Sequence, residues 1–123
     1  MFLLYGMHWA FNIVVADVDV PHAVLIRAIE PTLGIDVMAQ NRNVRADARE
    51  LTNGPGKVCA ALGLNRAHYG MDLCGPTLFL DEGPRVPVGK SERINVDYAG
   101  TWALKHWRFH ERGNRYVSVA PRD

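Results

Sequence analysis

The sequence lacks most of the features that would place it in a specialised class of protein. Its only cysteines, Cys59 and Cys74, are too few for a disulfide framework and lack the spacing of a zinc site, which favours a reducing, cytoplasmic setting. No apolar run reaches the roughly 20 residues needed to span a bilayer, so we expect no membrane partner. With 14 basic and 13 acidic side chains, any site for a polyanion must be a local patch.

Familiar catalytic motifs are also missing. There is no HExxH, no GxSxG, no GxGxxG after a predicted strand, and no pair of carboxylates on one predicted element. The five histidines are scattered, and each is more simply a surface or hydrogen-bonded core residue than a metal ligand: His8, His22, His68, His106 and His110. We therefore do not expect these histidines to form a metal site.

What the sequence contains is the pattern of one mixed α/β domain. Its 123 residues suffice to bury roughly two-thirds of the surface of the unfolded chain. Two apolar runs, residues 2–15 and 23–29, predict strands joined by a loop, with a bend at Tyr5-Gly6. Helices are predicted over residues 35–40 and from Pro55, the second ending at Gly63. Further strands are predicted at residues 77–80, 93–96 and 116–119, with Trp102, Trp107 and Phe109 facing the core.

Two polar residues stand among apolar ones and need partners. Arg27 lies within the second apolar run, where a guanidinium requires a carboxylate, carbonyls or an anionic ligand. One interpretation is a structural ion pair with Glu30 or Asp97. The other is a site arginine that shares a pocket with Asn12.

The start of the second helix also has two interpretations. Gly54-Pro55-Gly56-Lys57 leaves free backbone N–H groups beside a lysine, which is an arrangement that can hold a phosphate. A structural helix cap explains the same residues, and it is the commoner case.

Five segments, in this order and at these spacings, resemble the C-terminal part of the alkylpurine (3-methyladenine) DNA glycosylase family: YGMHWAFN, AVLIRAIEP, ELTNGPGKVCAALG, DYAGTWA and WRFHERGN. The resemblance implies an α/β (α+β) fold. It also implies that residues 1–123 are the C-terminal portion of a single domain, truncated at its N-terminus. That domain has a curved antiparallel sheet, short flanking helices and a protruding β-hairpin.

The same resemblance implies roles for individual residues. Tyr5 would wedge into the duplex at the hairpin tip, with Met7 and His8 beside it on DNA. Phe2 would stack on the flipped base, Asn12 would form the pocket floor, and Leu25 would pack nearby. Arg27 and the Val96 carbonyl would hold the attacking water. Three further cations would face phosphates: Arg42, Lys57 and Arg66.

The implied activity is hydrolysis of the N-glycosidic bond of alkylated or deaminated purines in damaged double-stranded DNA, by a monomer without metal or cofactor. It would place the protein in a bacterial-type cytoplasm, associated with the nucleoid through DNA. The family's general base is a Glu in a Glu-x-Tyr pair upstream of this region, followed by a His, and the 123 residues contain no Glu-x-Tyr. We therefore expect little or no turnover by this chain alone. The alternatives are a non-catalytic remnant that binds duplex DNA and a small α/β domain with an anion site at Lys57.

Overall fold

The computed structural model describes residues 2–4, 8–14, 22–94 and 96–118 of the chain, the side chains of residues 2–4, 8 and 97 excepted. Within these residues the chain forms six short strands and two α-helices, so the expected α+β class is confirmed. None of the described helices is long and apolar enough to cross a membrane.

The described strands pair antiparallel in three two-stranded ladders. Strand β1 (Phe2–Leu4) pairs with β2 (His8–Ala10), which gives a hairpin whose connecting residues 5–7 lie outside the described part. Strand β3 (Asn12–Val14) pairs with β4 (Ala23–Leu25), and this register sets Asn12 opposite Leu25. Strand β5 (Val88–Ser91) pairs with β6 (Arg108–Glu111).

The two helices lie where their boundary residues predict. Helix α1 (Ile35–Arg42) runs two residues past the expected end, because Asn43 adopts a left-handed conformation and donates its N–H to the Ala39 and Gln40 carbonyls. Helix α2 (Pro55–Leu62) begins after Gly54 and ends at Gly63, whose φ of 68° favours glycine. The expected helix stop at Gly63 is confirmed.

The core lies where α2 packs against α1 and β2. Its best buried residues are Leu51 and Val58, both 0% exposed. A neighbouring cluster of Phe11, Cys59 and Leu64 is covered by partly buried apolar side chains: Trp9, Ile13, Ile26, Leu73 and Leu78. Thr52 is fully buried and connects this core to the segment that follows β4, since its hydroxyl donates to the Ile29 carbonyl over 2.6 Å.

Several expectations for the second half of the chain are wrong. Residues 77–80 contribute only an isolated bridge between Cys74 and Phe79. Residues 93, 94, 96 and 116–118 are not in strands, and β5 and β6 take their place. Trp102, Trp107 and Phe109 are 57%, 49% and 61% exposed, so they do not face a core in this chain.

Two arginines tie the last described turn to the loop between α1 and α2. The Arg49 Nε donates to the Arg115 carbonyl over 3.0 Å. The Arg115 Nη2 donates to the Asp47 carbonyl, two residues before Arg49, over 2.7 Å. These bonds join backbone segments that are more than 60 residues apart in sequence.

Candidate functional site

The main candidate site is a cavity of about 820 Å³ between the β3–β4 ladder, the segment after β4, and β6 with its flanking loops. Asn12, Leu25, Arg27 and Val96 all line it. The β3–β4 register explains part of this, since Asn12 and Leu25 are cross-strand partners. The next residue is also fixed, because the Ile26 N–H donates to the Phe11 carbonyl over 2.9 Å. Residues far apart in sequence therefore converge on one space.

Arg27 lies just beyond β4 rather than in the middle of a strand, and it is half-buried. Among the side chains that the structure describes, Glu30 does not pair with it, and the side chain of Asp97 lies outside that set. Burial lowers the pKa of the Arg27 guanidinium from its ordinary value, and the positive charge of Arg108 lowers this pKa further. The group nevertheless stays charged, because an arginine is not deprotonated in proteins.

A second guanidinium at the cavity comes from Arg108, which sequence reasoning did not single out. Burial lowers the pKa of Arg108 as well, and its Nη2 donates to the Ser118 carbonyl. The signal was available, since Arg108 is flanked by Trp107 and Phe109 just as Arg27 is flanked by apolar residues. A partly buried cation among apolar neighbours needs the same explanation in both places.

Two carboxylates also line the cavity and meet at one amide. The Asn114 Nδ2 lies 3.0 Å from the Glu111 Oε2 and 3.3 Å from the Glu30 Oε2. Counting Arg93, which is a further lining residue, the wall carries three guanidinium groups against two carboxylates. These five groups give the wall a net positive charge.

The three cations expected to face phosphates lie outside this cavity lining and differ in what they contact. Arg42 is held by the loop that follows α1, where its guanidinium donates to the Leu51 and Glu50 carbonyls over 3.1 and 3.2 Å. The Lys57 Nζ donates to the Asn53 Oδ1 over 2.8 Å, beside the start of α2. Arg66 begins the short 3₁₀ helix Arg66–His68 and is exposed.

The remaining expected site residues fall in the N-terminal hairpin. Tyr5 and Met7 lie outside the described residues. Phe2 and His8 belong to β1 and β2, and their side chains are not described. Their predicted roles on DNA and on the flipped base stay predictions.

Comparison with known proteins identifies one matching family model and several similar proteins. A family model described as methylpurine-DNA glycosylase (MPG) matches residues 1–115. Three relatives each carry the name "Putative 3-methyladenine DNA glycosylase". The one from Natranaerobius thermophilus is 39% identical over 97% of this chain and 63% of its own length. The one from Desulfitobacterium hafniense is 40% identical over 97% and 63%. The one from Myxococcus xanthus is 42% identical over 98% and 58%.

The chain thus spans about three-fifths of the length of these curated relatives. Almost all of its own residues nevertheless align with them, and the family model covers both the segment with Asn12 and Arg27 and the segment with Val96 and Arg108. The chain belongs to the methylpurine-DNA glycosylase family.

Proposed function

We propose that the cavity receives an alkylated or deaminated purine extruded from duplex DNA, and that the chain takes part in hydrolysis of its N-glycosidic bond. The observation that carries this proposal is the convergence of Asn12, Leu25, Arg27 and Val96 on one cavity. Its volume of about 820 Å³ lies within the range of small-molecule sites and exceeds what a purine needs. Family membership supports the same reaction.

In this proposal each lining residue has a physical task. The Asn12 amide at the pocket floor crowds the exocyclic amino group of guanine, so that the normal base is rejected. Arg27 and the Val96 carbonyl position a water molecule, whose oxygen forms a bond to C1′ while the N-glycosidic bond breaks. The purine leaves with the bonding electron pair, as the leaving group does in glycoside hydrolysis. Tyr5 fills the gap left in the duplex.

The proton of the attacking water needs a base, and the 123 residues contain no Glu-x-Tyr. General-base assistance typically contributes ~10²–10⁴-fold to a rate. We therefore expect the chain alone to be inactive or slower by that factor than a longer form. The direct test is base release from duplexes with hypoxanthine or an alkylated purine. It compares the chain alone with a fusion in which the preceding segment of a curated relative is joined to it.

The Arg27→Gln substitution tests the site within that fusion. Loss of the positioned guanidinium should lower kcat by roughly 10²-fold, since misplaced reactants are penalised on that scale. Arg45→Gln is the matched control, because Arg45 is exposed and its guanidinium pairs with Asp47 at 3.0 Å. Equal rates for the two variants, or no release by the fusion on any lesion, would contradict the proposal.

A non-catalytic role in duplex binding is the second candidate, and the exposed Arg66 outside the cavity lining favours it. Tyr5, Lys57 and Arg66 would then hold DNA without chemistry. The expected result is affinity that falls steeply with salt, without base release even in the fusion. Lys57→Ala should weaken duplex binding and lower the salt slope by about 0.9. Unchanged binding after this substitution would exclude a phosphate contact at the start of α2.

A further inference from the structure

Asn114 lies in the wall of the cavity, in the turns that follow β6, and its side-chain amide contacts three other residues. The Nδ2 group donates to the Glu111 Oε2 over 3.0 Å and to the Glu30 Oε2 over 3.3 Å. The Oδ1 atom accepts the Tyr116 N–H over 2.9 Å. A rotated amide would set its oxygen against two carboxylate oxygens and its NH₂ against an N–H donor. These partners therefore fix one orientation of the amide.

The amide brings together two groups of like charge. Glu111 ends β6 and is half-buried, whereas Glu30 lies five residues after β4 and is exposed. Among the side chains that the structure describes, neither carboxylate belongs to an ion pair, so the amide is the polar group between them. Two carboxylates that share a site repel each other, and a donor that bonds to both offsets this repulsion. Glu111 is the stronger partner, because water screens the exposed Glu30.

Asn114 also sets the backbone turn that reaches Arg108. An asparagine that bonds through its side chain to the N–H two residues further on stabilises a turn, and the bond from Tyr116 is of this kind. The Asn114 carbonyl accepts the Val117 N–H over 3.2 Å. The following residue, Ser118, presents its carbonyl to the Arg108 Nη2. The acceptor for this guanidinium thus depends on the turn that Asn114 begins.

The two carboxylates belong to the same segments as two of the cavity's cations. Glu30 lies three residues after Arg27, and Glu111 lies three residues after Arg108. Burial lowers the pKa of both guanidinium groups, and the positive charge of Arg108 lowers the pKa of Arg27 further. Displacement of either carboxylate therefore changes the charge around both cations.

We propose that Asn114 is a positioning residue of the cavity. Its amide holds the Glu30 and Glu111 carboxylates together, and its turn holds the Ser118 carbonyl against Arg108, so that the charges of the wall have fixed positions. Every contact in this proposal joins two described residues. The proposal rests on the proposed function only for the reaction that these charges serve.

The test uses Asn114→Asp in the full chain, since this substitution keeps an oxygen for the Tyr116 N–H and replaces the donor by a third carboxylate. At pH 7 it should lower the midpoint of urea unfolding by about 0.5 M or more, the loss of roughly one hydrogen bond. Like charges raise the pKa of the new carboxyl group. The loss relative to the unaltered chain should therefore shrink as the pH falls toward about 4, where this group takes up a proton and can donate again.

Addition of Glu111→Gln to Asn114→Asp should recover most of the midpoint at pH 7, because donor and acceptor then exchange places. Asn53→Asp is the matched control, since the Asn53 Oδ1 accepts a hydrogen bond from the Lys57 Nζ over 2.8 Å. A new carboxylate beside this ammonium should not lower the midpoint at pH 7.

The Arg108 Nε–H signal of the ¹⁵N-labelled chain measures positioning directly, and its loss in Arg108→Lys assigns it. Asn114→Asp should shift this signal at pH 7, and the double variant should return it. An unshifted signal would overturn the proposal. A loss of stability that is independent of pH, or that Glu111→Gln fails to recover, would overturn it as well, since Asn114 would then serve the turn alone.

In the fusion used for base release, Asn114→Asp should lower kcat with KM nearly unchanged, because the charged groups are displaced rather than removed. An unchanged kcat would contradict the positioning role. If no fusion releases base, the proposed function fails, and urea unfolding with the Arg108 signal still decides on Asn114. The two proposals can therefore fail separately.

Discussion

Thr52 offers the sharpest test of how the core positions the site. Its side chain is 0% exposed, and its Oγ1 donates to the Ile29 carbonyl over 2.6 Å. The Ile29 N–H donates in return to the Thr52 carbonyl over 3.2 Å. Ile29 is two residues from Arg27, so this pair of bonds attaches the Arg27 segment to the loop that precedes α2. Thr52→Val keeps the shape of the side chain and removes only the donor.

The expected cost is about 1–2 kcal/mol in the free energy of unfolding. A net hydrogen bond contributes about 1 kcal/mol, and a buried acceptor without its donor costs ~1–3 kcal/mol. The half-buried position of Ile29 favours the lower part of that range, since water can replace some of the loss. With an m-value of about 1.5 kcal/mol/M, the midpoint of urea unfolding should fall by about 1 M.

Urea unfolding followed by circular dichroism measures this effect. Thr101→Val is the matched control, since Thr101 is exposed, and it should change the free energy of unfolding by less than ~0.5 kcal/mol. If Thr52→Val stayed within 0.5 kcal/mol of the unaltered chain, the hydroxyl could not be the tie between core and site. Equal losses in the two variants would contradict the argument as well, because burial would then be irrelevant.

Two further expectations concern the core. Leu51→Ala should lower the free energy of unfolding by ~2–5 kcal/mol because Leu51 is 0% exposed, whereas Leu33→Ala, at a residue 85% exposed, should cost less than ~0.5 kcal/mol in the same urea titration. Burial raises the pKa of the Cys59 thiol, so the folded chain favours the neutral thiol. The contribution of this group to the free energy of unfolding is therefore constant below the ordinary pKa of 9.0 and decreases as the pH rises above it. A thiol reagent at pH 8 should therefore modify Cys74 first, and faster labelling of Cys59 would contradict its burial.

The helices were the predictable part of the fold because their signals are local. Pro55 fits the first turn of a helix, and Gly63 fits the left-handed residue that ends one. Even the extension of α1 to Arg42 has a local cause in the left-handed Asn43. The β5–β6 ladder was not predicted, because its strands are short and some 20 residues apart. Each strand forms only by pairing with the other, so neither segment carries a sufficient signal by itself.

The candidate site likewise has a part that the sequence predicts and a part that it does not. Arg27 could be singled out because a guanidinium among apolar residues violates a local rule. Its convergence with Val96 could not be derived from spacing, because a loop, two helices and β5 separate them. The exposure of Trp102 and Trp107 could not be predicted for another reason. Aromatic residues in a segment indicate that it has an apolar surface, but whether that surface is buried depends on which other residues cover it.

The bonds from Arg49 to the Arg115 carbonyl and from Arg115 to the Asp47 carbonyl have a consequence for which residues can vary. Both guanidinium groups bind main-chain oxygens, so the side chain of Asp47 contributes nothing to the bond that its carbonyl accepts. Substitution of Asp47 should therefore leave both hydrogen bonds in place. Replacing either arginine by lysine should weaken them, because lysine lacks the planar guanidinium whose several N–H groups can reach a carbonyl. Added salt, which weakens the exposed Arg45–Asp47 pair, has no carboxylate to screen here. We therefore expect the loop between α1 and α2 to stay bonded to the turn at Arg115 at salt concentrations that weaken surface ion pairs.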